Sequence, residues 1–156
     1  MSLAKSLRYW FPPFIWMAVI FWFSTDTFSG QETGSVLENI LYFIGLSLTA
    51  ETIATLHFLI RKLAHFSSYA VLGTLLWRAF RGEAEETWRW GWGIGAFLTA
   101  AAYALLDEYH QSLTRTRTPS IVDSLIDMFG SLAALAGVWV SSRIRRVRGG
   151  ESGLGK

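Results

Sequence analysis

The chain has 156 residues, of which 51% are hydrophobic, 15% aromatic and 17% charged. Low charge with many aromatic residues excludes a disordered chain, and the absence of cysteine excludes disulfide scaffolds, thiolate nucleophiles and cysteine-held metal clusters. The length suits a single domain, and the formal net charge is +2. Because the basic residues lie beside apolar segments, they indicate a membrane topology signal and no nucleic-acid partner.

Four apolar segments predict an all-α, polytopic membrane protein with four transmembrane helices. The predicted spans cover about residues 9–24, 61–80, 90–110 and 120–141. The first is short for the ~20 residues that a span requires, and we place Pro12 and Pro13 in its first turn, where proline is tolerated. No small-x-small cleavage site is evident, so a retained span is favoured over a signal peptide.

About forty residues separate the first two spans. Their first part, 24–35, is polar and turn-like, and apolar residues then recur at helical spacing from Val36 to Ile44. This pattern predicts an extracytoplasmic amphipathic helix on the outer leaflet or packed over the bundle, with a buried partner helix as the alternative. We assign residues 1–148 to a single membrane domain and residues 149–156 to a disordered tail.

The distribution of Lys and Arg predicts the orientation. With the N-terminus inside, ten of the 14 fall on the cytoplasmic side and four on the outer side. Most Trp residues, among them Trp88, Trp90 and Trp139, fall at the proposed inner interface. The sequence therefore predicts a multi-pass protein of the cytoplasmic membrane with both termini in the cytoplasm.

Ionisable residues collect at the outer ends of the later spans. Arg61, His65 and Tyr69 are spaced i, i+4, i+8, and Asp123 and Asp127 are spaced i, i+4, so each set lies on one helix face. A charge facing lipid costs at least ~2.5–3.5 kcal/mol, so we expect these groups to face inward and to form one outward-facing polar pocket. The predicted ligand-binding residues are Arg61, Lys62, His65, Tyr69, Asp107, Glu108, Gln111, Arg117, Ser120, Asp123 and Asp127.

This residue set allows several kinds of chemistry. The arginines suit an anionic ligand such as a lipid phosphate, with headgroup anchoring as the alternative, and Arg117 precedes a helix start at Ser120 that adds free N–H groups. The acids suit either structural ion pairs or proton transfer. Because no ligand spacing is diagnostic, a metal stays a minority alternative and we assign no cofactor. The acid/base candidates are His65, Asp107, Glu108, His110, Asp123 and Asp127.

Several stretches of the chain resemble the signatures of VanZ-like membrane proteins. They are residues 61–73 (RKLAHFSSYAVLG), 107–111 (DEYHQ) and 117–120 (RTPS) followed by Asp123, Asp127 and Gly130, and residues 21–24 (FWFS) also fit the first span of the family. The resemblance covers nearly the whole chain. It departs at Arg115-Thr116, where the family often has Pro-Gly, and at Ser68, where it often has an acid.

The resemblance implies a bacterial inner-membrane protein linked, at family level, to resistance against the glycopeptide antibiotic teicoplanin. It implies no agreed reaction. The leading interpretation is a pocket that binds the headgroup of a membrane lipid or a lipid-linked cell-wall precursor. The alternatives are a hydrolase or transferase acting on a lipid-linked phosphate or glycan, and a proton-coupled carrier. Because four spans make a thin transporter, the carrier would require a homo-oligomer.

Overall fold

The computed structural model describes residues 3–25, 30–113 and 120–151, and these residues form five α-helices and no strand. The all-α class predicted from the sequence is confirmed. The helices are α1 (Leu3–Phe23), α2 (Gly30–Phe43), α3 (Ala50–Arg81), α4 (Trp90–Ser112) and α5 (Ile121–Glu151). Helix α5 extends into the predicted tail 149–156, the rest of which lies outside the described residues.

In the described part of the chain, one helix is long and apolar enough to cross a membrane. It is the stretch Ile121–Val147 of α5, with a mean hydropathy of 1.6. The four predicted spans are therefore not confirmed. Composition explains the difference. Helix α3 carries charged side chains within its length, α1 contains three Trp and two Pro residues, and α4 contains two Trp and three Gly residues, which hydropathy scales score low.

Large apolar side chains are exposed on the outer faces of the bundle. Phe14 of α1, Leu98 of α4 and Phe129 of α5 are each between 60% and 63% exposed. Exposed apolar side chains of this size are typical of surfaces that contact lipid or another protein.

Helix α1 begins earlier than the sequence predicted, at Leu3 instead of near residue 9. Pro12 and Pro13 therefore lie inside the helix, and their predicted place in its first turn is wrong. Each proline lacks an N–H group and leaves one helical carbonyl without its usual partner.

Helix α3 begins at Ala50, eleven residues before the predicted span, because Thr49 caps it. The Thr49 hydroxyl accepts a hydrogen bond from the Thr52 N–H at 3.3 Å, and Glu51 places an acid in the first turn. Gly82 caps the C-terminal end of the helix, directly after Arg81, and its φ of 56° favours glycine. Its 32 residues span ~48 Å, more than the ~30 Å core of a bilayer.

Helix α2 begins at Gly30, so the predicted polar turn over 24–35 is wrong from that residue onward. The helix packs against the N-terminal part of α3, and the Thr33 hydroxyl hydrogen bonds with His57 at 2.8 Å. The predicted helix is therefore present and contacts α3, while its location at the outer leaflet stays a prediction. Its apolar side lines a cavity that is described below.

The most extensive contact between two helices is the one between α3 and α5, where small residues allow the two backbones to approach closely. A Cβ atom added at Gly130 would lie 2.2 Å from the Phe66 carbonyl oxygen, and one at Gly73 would lie 2.5 Å from the Ser131 hydroxyl. Such small-residue contacts are typical of helices that pack in membranes. They fix how α5 is rotated and how far along α3 it lies.

Candidate functional site

One end of the bundle is polar. There the C-terminal ends of α1 and α4 meet the start of α5 and the middle of α3. The buried face of α4 shows how the sequence builds this end, because small residues at Ala96, Ala100 and Ala104 are followed one turn later by buried Glu108. The buried face of α5 begins with the polar residues Asp123, Ser124 and Asp127, and it reaches the apolar Leu135 two turns further along.

A cavity of about 480 Å³ opens at this end between α1, α2 and α3. Its walls are mostly apolar and include Trp16 and Ile20 of α1, Leu37 of α2 and Ile60 of α3. Its polar lining includes the predicted residues Arg61, His65, Tyr69 and Asp107, together with Ser24, Thr33, His57 and Ser68. The cavity therefore joins an apolar compartment to a small set of polar groups.

The predicted stripe of α3 lines this cavity along its length. Arg61 is partly buried, and its Nε atom has no hydrogen-bond partner among the described residues. Tyr69 is 1% exposed, and within the same residues its hydroxyl also has no partner. The Nε atom of Arg61 and the hydroxyl of Tyr69 are thus two buried donors on one helix face that lines the cavity. A polar ligand or water in the cavity would satisfy them.

His65 connects the cavity to the centre of the bundle. Its Nδ1 atom lies 3.1 Å from Oδ1 of Asp127, whose side chain is fully buried on α5. The contact between Asp127 and a cation or histidine that the sequence predicted is therefore present. Because Nδ1 is engaged by the carboxylate, the Nε2 atom of the ring is the nitrogen left for other partners.

A second pair crosses the same helix interface, where Lys62 of α3 forms an ion pair with the buried Asp123 of α5. Glu108 of α4 accepts a hydrogen bond from the Ser120 N–H at 2.6 Å, at the residue before α5 begins. Its other oxygen, Oε1, is buried without a partner in the described part of the chain. Both acids, Asp123 and Glu108, therefore lie at contacts between helices or at the start of α5.

Asp107 is held by Ser24, which directly follows α1, and by Gln111 of its own helix α4. Its carboxylate accepts hydrogen bonds from the Ser24 hydroxyl at 2.6 Å and from the Gln111 amide at 3.1 Å. Ser24 is 4% exposed and was not among the predicted site residues. Its position directly after the first apolar segment was the available signal.

His110, a described residue among the candidates, does not line the cavity. His110 packs its ring on Phe21, with centroids 4.3 Å apart, and its Nδ1 atom is buried without a partner among the residues described. Arg117 lies outside the described residues. Within those residues no group of three or more His, Asp or Glu side chains is arranged to hold a metal ion.

His57 is a cavity-lining residue that was also not among the predicted site residues. It lies on the N-terminal extension of α3, one turn before Arg61, and it contacts α2 through Thr33. Because the start of α3 was predicted too late, His57 was not placed on the same helix face as Arg61.

A comparison with protein-family models agrees with this architecture. Residues 9–142 match the model described as VanZ/LLP1, and this range contains all four helix segments that meet at the polar end. Searches of curated proteins and of solved structures gave no match. Since the family model covers most of the sequence, the chain belongs to the VanZ/LLP1 family.

Proposed function

We propose that this protein binds the anionic headgroup of a membrane lipid or a lipid-linked cell-wall precursor in the cavity lined by Arg61, His65 and Tyr69. It would do so as a multi-pass protein of the bacterial inner membrane with both termini in the cytoplasm. The observation that carries the proposal is the mixed lining of the cavity, in which apolar walls adjoin a partly buried guanidinium whose Nε has no partner among the described residues.

The charges near the cavity support an anionic ligand. The ammonium of Lys62 is balanced by Asp123, whereas the described residues contain no carboxylate in ion-pair contact with Arg61. A guanidinium presents several N–H donors in one plane, which matches the oxygens of a phosphate. In a largely apolar cavity, a charge-assisted hydrogen bond of this kind is worth more than it is in water.

The apolar walls support a ligand with a hydrocarbon part. The residues that α1 and α2 contribute to the cavity are predominantly aliphatic and aromatic, and they lie opposite the polar stripe of α3. A free phosphate would leave these walls without contacts. A lipid phosphate would bury its chain against them at ~25 cal/mol for each Å² of apolar surface removed from water.

The test measures the binding of a polyprenyl phosphate to the purified protein. The uncharged polyprenol is the comparison probe. Arg61→Ala should weaken binding of the phosphate by roughly 1.5–3 kcal/mol, and Arg61→Lys should restore only part of it, because the planar fork is lost. Arg78→Ala is the matched control, since Arg78 is an exposed arginine of the same helix at the opposite end. Equal phosphate binding by Arg61→Ala and Arg78→Ala would contradict the proposal.

Arg117 enters the proposal on sequence grounds alone. It precedes Thr118 and Ser120 just before α5, and a helix start favours an anion through its free N–H groups. We expect Arg117→Ala to weaken polyprenyl phosphate binding, with Arg117→Lys intermediate. Isothermal titration of both variants checks this. If binding is unchanged in both, Arg117 has no place in the site.

The orientation predicts where reporter domains will be found. Fusions after Gly82 and after Gly150 should report the cytoplasm, and fusions near Gly30 and near Arg115 should report the outer side, because ten of the 14 basic residues then lie inside. Alkaline phosphatase and green fluorescent protein fusions measure the two outcomes. A cytoplasmic signal from the Arg115 fusion would place the cavity on the inner side.

A second function, hydrolysis or group transfer on a lipid-linked phosphate or glycan, is favoured by one observation. The buried carboxylate of Asp127 orients the His65 ring, and His65 also lines the cavity. A histidine held in this way can accept a proton from a water or hydroxyl nucleophile through Nε2. Arg61 would then stabilise negative charge that develops on the phosphate.

A further inference from the structure

We propose that the protein has a second lipid site, a groove between α4 and α5 that binds one anionic phospholipid at the end opposite the polar cavity. The groove has a volume of about 270 Å³ and is lined only by apolar and aromatic side chains and Gly93. It shares no lining residue with the cavity. Only its placement in a membrane rests on the proposed function.

The shape of the groove suits a hydrocarbon chain. Along α4 its lining runs from Trp90 through Ile94 to Leu98, a distance of ~12 Å parallel to the helix axis. Leu132 and Trp139 line the facing side on α5. Because acyl chains run parallel to transmembrane helices, a groove along the axes receives one lengthwise, whereas a helix crossing the bundle would not fit it.

Tryptophans close one end of the groove. Trp90 and Trp139 face each other with ring centroids 6.2 Å apart, and Trp88 meets Trp90 edge to face at 5.8 Å. Trp88 can lie over the groove because position 93 is glycine, where a Cβ would be 2.7 Å from the indole. Indole rings favour the boundary between hydrocarbon and headgroup, so this end would hold the glycerol region of the lipid.

The charge beside the tryptophans favours an anionic headgroup. Arg143 lies over the Trp139 ring at 5.5 Å, is exposed, and forms no ion pair with any residue that the structure describes. Arg89 directly precedes Trp90 in the sequence but already forms an ion pair with Glu86. The hydrogen bond from Arg89 lowers the pKa of the Glu86 carboxyl. Arg143 therefore places an unpaired guanidinium at the tryptophan end, where it is available to a lipid phosphate.

The experiment measures lipids that remain bound to the detergent-purified full chain, by native mass spectrometry, with phosphatidylglycerol and phosphatidylcholine of identical acyl chains. The parent should hold phosphatidylglycerol in preference to phosphatidylcholine. Ala136→Phe should weaken that binding by about tenfold, because Ala136 lines the groove and the phenyl ring would fill it. Ala133→Phe is the matched control, since Ala133 is exposed on the same helix outside the groove.

Arg143→Gln should reduce the preference for phosphatidylglycerol by about fivefold, as expected for one arginine near a lipid surface, and Arg145→Gln should leave it unchanged. Equal lipid binding by the two phenylalanine variants would overturn the site. Equal affinity of the parent for the two lipids would overturn its anionic character. A dimer in the parent that Ala136→Phe converts to a monomer would show that a second copy occupies the groove, and would also overturn the proposal. The difference between Ala136→Phe and Ala133→Phe should persist when each is combined with Arg61→Ala, because the groove shares no lining residue with the cavity.

Discussion

Replacing Gly130 by alanine is expected to destabilise the bundle by at least about 3 kcal/mol, at the upper end of the cost of overpacking a core. The added methyl group would lie 2.2 Å from the carbonyl oxygen of Phe66. A backbone carbonyl cannot rotate away as a flexible side chain can, so α3 and α5 would have to separate. Thermal unfolding in detergent, followed by circular dichroism, measures the change.

Gly137→Ala supplies the matched control for this substitution. It lies on the same helix, and a Cβ there would meet nothing within 4 Å. Because alanine is the better helix former, we expect this variant to be neutral or to gain up to ~1 kcal/mol. Equal melting temperatures for Gly130→Ala and Gly137→Ala would show that the α3 and α5 backbones are not in close contact at Phe66.

The same substitution should also impair the site. Both contacts that cross from α3 to the start of α5, Lys62 with Asp123 and His65 with Asp127, depend on the separation that Gly130 sets. We therefore expect Gly130→Ala to lose polyprenyl phosphate binding even at temperatures where it remains folded. Binding at the level of Gly137→Ala would show that the cavity is independent of this helix contact.

Asp127→Ala is expected to cost about 3–5 kcal/mol of stability, the range found when one partner of a buried pair is removed. Asp127 is fully buried, and His65 would lose the group that orients its ring. Asp127→Asn keeps the shape and one hydrogen bond, so it should cost less. Glu83→Gln is the control, because Glu83 is exposed and pairs with Lys5 at 3.0 Å on the surface. Unfolding midpoints in detergent rank the three variants.

Asp127→Asn also separates the two candidate functions. If the carboxylate only holds His65 in place beside the cavity, lipid binding should fall modestly and the parent should show no turnover. If His65 acts as a base that Asp127 orients, binding should survive while turnover of a lipid-linked phosphate falls by ~10²-fold or more. A parent that turns over substrate, with a variant that binds but does not react, would replace the binding function with the enzymatic one.

Much of the candidate site could be predicted because it depends on spacing within single helices. Residues i, i+4 and i+8 share a face of an α-helix, so Arg61, His65 and Tyr69 line one cavity as expected. An unpaired carboxylate inside a membrane has a high free-energy cost. This cost correctly predicted that a histidine or a cation lies beside Asp127. Both inferences need only helical geometry and the low polarity of the surroundings.

Other parts could not be predicted in this way. The late start predicted for α3 left His57 out of the site, although Thr49 and Glu51 form a recognisable helix start. Ser24 hydrogen bonds with Asp107 across 83 positions of sequence, and no local pattern relates the two. The packing of α2 over the cavity likewise depends on contacts with α3 that its amphipathic pattern does not specify.

The sequence by itself determined the helical class, the family signatures and the helix face on which each ionisable residue lies, because these follow from composition and from 3.6 residues per turn. Only the tertiary structure decided that Lys62 pairs with Asp123 while His65 pairs with Asp127, and that Arg61 keeps an unpartnered donor among the described residues. Such pairings require the rotation and relative height of neighbouring helices. Those are set by close backbone contacts such as Gly130 on Phe66, which become visible when the helices are packed together.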